Sequence, residues 1–477
     1  MVEFIYILFL LSGFIKSFLL AFSIPTFIDF TLLTAITAFI AILIKKRIEI
    51  EQNNIAIKLI PVLFFIWIVV SLFYSFSPQY SIVKTFLFST NLIAIAIPFF
   101  TKKFDTQKAL KYLVFVICFL SVGYYLFNAD IQLKITQTQI VNYIQLEGFG
   151  LGLGELIGCA FFVLIFSKIK NKVLLLSFFT WMIFSTGARG PILFLFVGLI
   201  LLGLVYAYEA FTKKTSFVYD GFTDIRKEIL QVKYLLVFSN LILFFLLVAS
   251  PRVNQMYQRT FWRLGLLTDY ENKKAATEED FDEYLIKEKT DSVLNKNTSN
   301  KLIKSTNGEG FLSELKDILG THNKSIGINK SMIDAEFLEQ SLIPIDTNRS
   351  VSTRVRHIKF SKKAITANAK RFVIGYGIGS YGIIKTGVDG RNFPHNIFLE
   401  TWVELGLIGV LILCTILFFC FNKLNNLNAG LYFALMFLLL NLMKSSSLVD
   451  MRIFWGLWAI TILLDMNKKY SEKTILV

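Results

Sequence analysis

Long apolar stretches restrict the fold of this chain more than any other feature. A helix needs about 20 mostly apolar residues to cross the hydrocarbon core of a membrane. Apolar residues make up 55% of the chain and charged residues only 17%, which excludes a disordered or ordinary soluble protein. The sequence therefore predicts an all-α polytopic membrane protein with about twelve transmembrane helices. We expect them near residues 4–22, 26–44, 58–77, 83–100, 109–127, 149–167, 171–187, 190–210, 232–250, 397–421, 427–443 and 452–465.

Lysines and arginines in the short loops predict the orientation of these spans, because they concentrate on the cytoplasmic side. A cytoplasmic N-terminus places basic tracts such as 45–47, 102–103 and 468–469 inside, and it also places the C-terminus there. Lys444 and Arg452, in the last outer loop, are the exceptions. These loops explain much of the net charge of +15, so we expect no nucleic-acid partner.

One connection is far longer than the others, and the topology puts it on the outer face between spans 9 and 10. Its last part, residues 349–395, holds ten basic residues and a single acid, Asp389. Long loops are exempt from the charge rule, so this basic segment needs another explanation. The predicted regions are transmembrane helices 1–9 (1–250), the large loop (251–395) with an acidic low-complexity insertion (264–348), and helices 10–12 with a cytoplasmic tail (396–477).

The beginning of the basic segment predicts an amphipathic helix. Such a helix can lie on anionic lipid headgroups. It can also bind a polyanionic headgroup such as a diphosphate, which arginines like Arg354 and Arg356 contact with two hydrogen bonds. Both interpretations remain open. The apolar positions at helical spacing are Val351, Val355, Ile358, Ile365, Ala369 and Phe372.

A glycine-rich run follows at residues 375–382, with Tyr381 inside it. It fits the G-x-G-x-x-G dinucleotide pattern, but no βαβ unit surrounds it, so we discard that interpretation. The glycines are better explained by tight turns or by close approach of the backbone to a ligand.

Individual polar residues at the predicted outer edge of the membrane are site candidates. His395 lies where the basic segment re-enters the bilayer, and imidazole can accept a proton from a sugar hydroxyl near neutral pH; a structural role is the alternative. Arg189, between two apolar stretches, is costly without a partner, although it can snorkel to lipid phosphate. Arg259 opens the large loop beside aromatic residues, where phosphate or sugar binding and interfacial anchoring are equally open.

Three motifs make the chain resemble the O-antigen ligase and O-antigen polymerase family of bacterial envelope enzymes. They are the hairpin at 185–190 (STGARG), the segment from 352 to 381, and the run beginning at Pro394 (PHNIFLETWVELGLIG). The resemblance implies a GT-C-like membrane glycosyltransferase on the outer face of the bacterial inner membrane. Such enzymes transfer a glycan from an undecaprenyl-diphosphate carrier to an acceptor and need no metal or other cofactor.

The resemblance also assigns roles to residues. Arg189 and either Arg354 or Arg356 would hold the diphosphate. His395 would activate or orient the acceptor hydroxyl, and Arg189 would assist catalysis. Arg259 is a further diphosphate candidate from its position at the start of the loop. The weaker substrate-binding candidates from the same motifs are Asn396, Tyr381 and Glu404.

Family members polymerise repeat units, ligate glycan to a lipid A-core, or glycosylate proteins, and no residue here separates these activities. We expect a polymerase first and a ligase second. The implied partners are the lipid-linked oligosaccharide, an acceptor glycan or lipid A-core, membrane lipids, and a chain-length regulator or flippase. A lipid-linked glycan flippase or another transporter is the alternative of a different class, although no internal repeat supports it.

Overall fold

A computed structural model of the chain describes residues 1–21, 30–44, 55–101, 104–131, 140–167, 169–186, 188–212, 217–248, 350–421 and 429–475. All of them belong to one unit, formed by residues 1–253 and 343–477. The acidic insertion and Arg259 lie outside the described residues.

The regular structure of the described residues is helical. In chain order the helices are α1 Val2–Leu10, α2 Ser12–Ala21, α3 Phe30–Ile44, α4 Ile55–Leu72, α5 Tyr80–Phe100, α6 Thr106–Ile131, α7 Ile140–Ile165, α8 Lys172–Thr186, α9 Arg189–Thr212, α10 Phe217–Val248, α11 Ser350–Ile365, α12 Ala369–Ile374, α13 Ser380–Thr386, α14 Ile397–Phe421, α15 Ala429–Ser445 and α16 Arg452–Ile475. A short 3₁₀ helix, Leu448–Met451, lies between α15 and α16.

These helices coincide with the apolar stretches, so the prediction of an all-helical integral membrane protein is confirmed. The count of about twelve spans and the GT-C-like arrangement stay predictions. Five described segments are long and apolar enough to cross a membrane, namely Tyr80–Phe100, Thr106–Leu126, Arg189–Glu209, Asp224–Phe245 and Ile397–Phe419. Shorter apolar helices lie at Phe30–Leu43, Leu59–Leu72, Leu151–Ile165, Lys172–Thr186 and Ala429–Lys444.

Two predicted spans differ from the helices of the structure in where they begin, end or break. The first stretch forms two helices, because Leu11 leaves the α-helical conformation (φ −92°, ψ 2°). The span expected at 232–250 is the second half of α10, a longer helix in which Val232 is non-helical (φ −110°, ψ 15°). The break falls where the polar first half of α10 gives way to its apolar second half.

The described part of the basic segment contains three helices, and the apolar positions from Val351 to Phe372 are divided between two of them, α11 and α12, so the prediction of one amphipathic helix there is wrong. The helix α11 ends at Ile365, and Asn368 starts α12 by accepting a hydrogen bond from the backbone N–H of Arg371 at 2.9 Å. Two residues of the expected apolar face, Val355 and Ile358, are 44% and 51% exposed. The buried residues of α11 are His357, Ser361, Ala364 and Ile365, and the helix packs against α14.

The glycine-rich run packs against a kink in α14. Gly406 has a positive φ of 69° inside that helix, a conformation that favours glycine. A Cβ on Gly375 would lie 2.5 Å from the Glu404 carbonyl, so the two backbones touch. The Trp67 indole N–H donates to the Leu405 carbonyl at 2.9 Å, which satisfies an acceptor at the kink. These glycines approach the protein's own backbone.

The same run also holds the turn before α5. A Cβ on Gly377 would lie 2.3 Å from the Ser75 Cα, and the Ser75 hydroxyl donates to the Ile378 carbonyl at 2.8 Å. Asp389 accepts hydrogen bonds from the backbone N–H groups of Gln79 (3.0 Å) and Tyr80 (3.3 Å). A carboxylate at a helix N-terminus is stabilised by the helix dipole. The one acid of the basic segment therefore caps α5.

A buried ion cluster joins α5 to α14. The Lys84 ammonium, 1% exposed, donates to both carboxylate oxygens of Glu404 at 2.7 and 2.8 Å and to Glu400. Glu400 also accepts from the Ser447 hydroxyl at 2.7 Å and from the Leu448 N–H at 2.9 Å. We call Lys84, Glu400 and Glu404 the buried ion cluster. It fixes the N-terminal part of α14, the helix that His395 precedes.

Candidate functional site

The charge of Lys444, near the end of α15, interacts with charged groups from three other helices. Its ammonium lies within electrostatic range of the guanidinium groups of Arg189 and Arg354 and of the carboxylate of Glu155. Arg189 begins α9, Arg354 lies in the first turns of α11, and Glu155 is on α7. We call these four residues the cationic cluster. It brings together two arginines that the sequence singled out separately.

The ammonium of Lys444 occupies the space over a glycine. A Cβ at Gly190 would lie 2.1 Å from the Lys444 Nζ and 3.1 Å from its Cε. The Lys444 Nζ also lies 6.0 Å from the centre of the Phe194 ring, a cation–π distance. Glycine at position 190 therefore lets the ammonium reach the N-terminus of α9, beside Arg189.

His395 is tied to the cationic cluster by the residue that follows it. The Asn396 side chain accepts hydrogen bonds from the N–H groups of Phe398 and Leu399, both at 3.0 Å, and so caps α14. Its amide also donates to the Met443 carbonyl at 2.8 Å. Because Met443 precedes Lys444, this bond links the backbone next to His395 to the end of α15. The described hydrogen bonds of the Asn396 side chain therefore hold the start of α14 and the end of α15.

The backbone of His395 has a positive φ of 58°, which non-glycine residues rarely adopt. Its ring centre lies 4.6 Å from that of Phe393 and 5.4 Å from that of His357. Such a conformation persists where the surroundings over-determine it. The two neighbouring rings and the Asn396 cap supply those constraints.

His357 lies between two polar side chains from α13. Its Nδ1 is 2.8 Å from the Tyr381 hydroxyl, and its Nε2 is 2.9 Å from the Lys385 Nζ. Burial, together with the charges of Lys385, His395 and Arg356, lowers the pKa of His357 to about 3. Burial and then Arg356 lower the pKa of Lys385 to about 8. His357 is therefore neutral at physiological pH.

The remaining site candidates have other neighbours in the structure. Arg356 is an electrostatic neighbour of both His357 and Lys385. Tyr381 is fully buried, and burial raises the pKa of its phenol, so it acts as a neutral hydrogen-bonding group. Glu404 is in the buried ion cluster and is also 0% exposed.

A cavity of about 960 Å³ shares Glu155 with the cationic cluster. Its wall is largely apolar and comes from the N-terminal helices together with α5, α7, α15 and α16. The polar part of the lining includes Arg391 and Asp450, which form an ion pair at 3.3 Å, and Arg452. The cavity is therefore mostly apolar, and Glu155 is the lining residue that it shares with the cationic cluster.

Sequence reasoning missed Lys444, His357 and Lys385 as site residues. Lys444 carried a usable signal, because it broke the charge rule of the short outer loops. His357 was visible as one of three histidines, three residues after Arg354 in a helix, which puts both on neighbouring positions of its surface. Lys385 had no local signal, since only the fold brings it to His357.

The fold and the site define a class: an integral membrane protein with concentrated positive charge beside two histidines. A family model described as O-antigen ligase matches residues 172–414, about half of the chain. The chain therefore belongs to the O-antigen ligase family of membrane glycan enzymes, as its motifs predicted. Comparisons with curated proteins and with solved structures found no match. The matched region contains Arg189, Arg354 and His395, whereas Glu155 and Lys444 lie outside it.

Proposed function

We propose that this chain is a membrane glycosyltransferase that moves a glycan from an undecaprenyl-diphosphate carrier to an acceptor sugar. The observation that carries the proposal is the cationic cluster, which occurs in a member of the O-antigen ligase family. The hydrogen bond from the Asn396 amide to the Met443 carbonyl connects this cluster to the backbone next to His395. Three cations and a single carboxylate form that cluster. An anionic ligand would balance its charge.

The chemistry of the cluster fits a diphosphate. Arginine binds phosphate oxygens with two parallel hydrogen bonds, and lysine adds a compact charge. Fixed positive groups stabilise charge that develops on a leaving group most strongly where water is excluded. Arg354 is our choice between the two arginines of α11, because it is the one whose charge reaches Lys444. Arg259 stays a prediction from sequence.

The proposed step breaks one bond and forms one. The acceptor hydroxyl oxygen attacks the anomeric carbon of the donor sugar, and the bond from that carbon to the diphosphate oxygen breaks. The bonding pair leaves with undecaprenyl diphosphate, whose charge Arg189, Arg354 and Lys444 stabilise. The acceptor proton passes to a ring nitrogen of His395, which acts as general base. This chain's residues supply the charge stabilisation for which related chemistry elsewhere uses a divalent metal ion.

The apolar cavity supports a lipid-linked donor. Its wall suits a hydrocarbon chain, and Glu155 connects it to the cationic cluster. Burying such a chain is favourable in proportion to the apolar area removed from water. We assign the cavity to the polyprenyl chain of the donor.

The proposed setting is the bacterial inner membrane, with both termini cytoplasmic and the site on the outer face. The site lies at the predicted outer ends of α9, α14 and α15, and residues 349–395 belong to the predicted outer loop. Carrier-linked repeat units would be delivered there by a flippase, and a chain-length regulator would be a partner.

Repeat-unit polymerisation is the reaction we propose first, with lipid-linked glycan as donor and acceptor. Ligation of finished glycan to lipid A-core is the second candidate, and the description of the matching family as O-antigen ligase favours it. Both reactions use the same donor site and differ in the acceptor.

Product analysis tests the proposal. Purified protein is incubated with undecaprenyl-diphosphate-linked repeat units, with and without lipid A-core. The masses of the products are then measured by mass spectrometry. We expect bond formation in the unmodified chain and its loss in His395→Ala and Arg189→Ala. Lys359→Ala is the matched control, because Lys359 is an exposed basic residue of α11 and should leave transfer intact. Movement of the glycan across vesicles without a new bond would make the chain a transporter.

A further inference from the structure

A second histidine lies at the site without a part in the proposed reaction. His357 is 4% exposed, and its ring contacts that of His395 edge-to-face, with centres 5.4 Å apart and planes at 78°. The His357 ring is also nearly parallel to that of Tyr381, at 12°. A buried imidazole in contact with the proposed base can control the orientation of that base.

The hydrogen bonds of His357 fix its ring. A neutral imidazole has one donor and one acceptor nitrogen. A protonated Lys385 only donates, and its Nζ lies 2.9 Å from Nε2 and 3.2 Å from Nδ1, while the Tyr381 hydroxyl lies 2.8 Å from Nδ1. Rotation of the ring would break its contacts with both partners.

The contact matters because His395 is held in a costly conformation. The left-handed region is sterically unfavourable for a non-glycine residue, and the surroundings must offset this cost. Phe393 is a neighbour in the chain of His395, whereas His357 comes from a different helix. His357 thus supplies a contact with His395 that is anchored outside the local segment.

We propose that His357, held by Tyr381 and Lys385, is a positioning residue that keeps the His395 imidazole oriented toward the acceptor hydroxyl. The inference rests on the proposed function and adds a second histidine to it. His357 acts through His395 and does not itself take the acceptor proton.

Two tyrosines of the glycine-rich run provide a matched pair for the test. The Tyr381 hydroxyl is hydrogen-bonded to the His357 side chain of α11. The Tyr376 hydroxyl instead donates to the backbone carbonyl of Ala364, also in α11, at 3.2 Å. Tyr381→Phe and Tyr376→Phe each remove one buried hydroxyl that faces α11. With undecaprenyl-diphosphate-linked repeat units as substrate, Tyr381→Phe should lower kcat about tenfold with KM for the donor unchanged, since small misplacements of a catalytic group are costly. Tyr376→Phe should leave kcat unchanged, and His357→Gln should lower it at least as far as Tyr381→Phe.

A second measurement reads the position of His395 without any transfer. Diethyl pyrocarbonate acylates neutral, accessible imidazoles, and peptide mass spectrometry separates the three histidines of the chain. We expect faster acylation of His395 in Tyr381→Phe and His357→Gln, with the rate of the unmodified chain in Tyr376→Phe.

The two readouts separate the inference from the proposed function. If the unmodified chain forms no glycosidic bond but acylation of His395 responds as expected, the function is wrong and the positioning role stands. If neither kcat nor acylation distinguishes Tyr381→Phe from Tyr376→Phe, the positioning role is overturned. A rise in donor KM with constant kcat would also overturn it, because His357 would then act on donor binding.

Discussion

Two charge clusters lie close to α14, and they are composed in opposite ways. In the buried ion cluster a single ammonium faces two carboxylates and is almost fully excluded from water. In the cationic cluster the described charges that act on Lys444 are those of two arginines and of one carboxylate, Glu155. Removing one partner of a buried pair leaves an uncompensated charge and destabilises the fold. Cations held together instead raise one another's energy, and an anionic ligand relieves this repulsion.

The comparison separates charges that hold the fold from charges that bind a ligand. Lys84 and Lys444 are both lysines near the predicted outer ends of helices, and the sequence alone does not distinguish them. Their neighbours do, since Lys84 is surrounded by acids and Lys444 mainly by arginines. We therefore expect variants of Lys84 to lose stability and variants of Lys444 to lose donor binding.

The largest expected effect is on stability, in Lys84→Met. Two carboxylates would remain buried without their cation, so the free energy of unfolding should fall by about 3–5 kcal/mol. Chemical unfolding in detergent micelles, followed by tryptophan fluorescence, measures the change. Adding Glu400→Gln and Glu404→Gln to Lys84→Met should recover part of the loss. A loss of the same size in Lys444→Met would show that the two clusters do not differ in this way.

The next effect is on donor binding, through Lys444 and the glycine beneath it. Lys444→Met should raise KM for the lipid-linked donor about tenfold, which corresponds to about 1.4 kcal/mol. Gly190→Ala should do the same with Lys444 still present, because the added Cβ displaces the ammonium.

Gly203→Ala is the control for the glycine variant. Gly203 lies on the same helix, α9, and a Cβ there would meet nothing within 4 Å. We expect an unchanged donor KM in this variant. If Gly190→Ala and Gly203→Ala behave alike, the position of the Lys444 ammonium is unimportant for donor binding.

The smallest expected effect is a pH dependence of stability at His357. Its pKa is lowered to about 3 in the fold by burial and by Lys385, His395 and Arg356, whereas an unfolded histidine titrates near 6.5. The unfolded chain therefore binds the extra proton between those values, so stability falls as pH falls below about 6.5.

Melting temperatures at pH 7 and pH 6 measure this dependence, an interval over which the expected loss of stability is below about 1 kcal/mol. The unmodified chain should lose more on acidification than His357→Gln, which lacks the titrating group. Equal losses in the two proteins would mean that His357 is protonated as readily in the fold as in the unfolded chain.

The helical membrane fold was predictable from sequence because hydropathy is a local signal. The limits of the spans were less predictable, since the end of α1 depends on Leu11 and the break inside α10 on Val232, two residues that leave the helical conformation. The buried face of α11 was mispredicted for another reason. The glycine-rich run supplies the Tyr381 hydroxyl as a partner for His357, so a polar side chain is buried on this face and Val355 is left exposed.

The candidate site was predictable where a residue is unusual in its own surroundings. Arg189 and His395 are polar residues next to apolar stretches, and each lies within one of the family motifs. Pairings across the chain were not predictable, because Lys84 meets Glu404 over a separation of 320 residues. Glu404 illustrates the consequence. Its motif suggested substrate binding, yet the fold places its carboxylate against a buried lysine.

The most direct test of the central proposal is a binding measurement with two lipids that differ by one phosphate. Undecaprenyl diphosphate and undecaprenyl monophosphate are titrated into the purified chain and into Lys444→Met, with dissociation constants measured by native mass spectrometry. If the cationic cluster holds a diphosphate, the unmodified chain should bind the diphosphate about tenfold more tightly, and Lys444→Met should lose most of that preference. Equal binding of the two lipids by the unmodified chain would contradict the proposal.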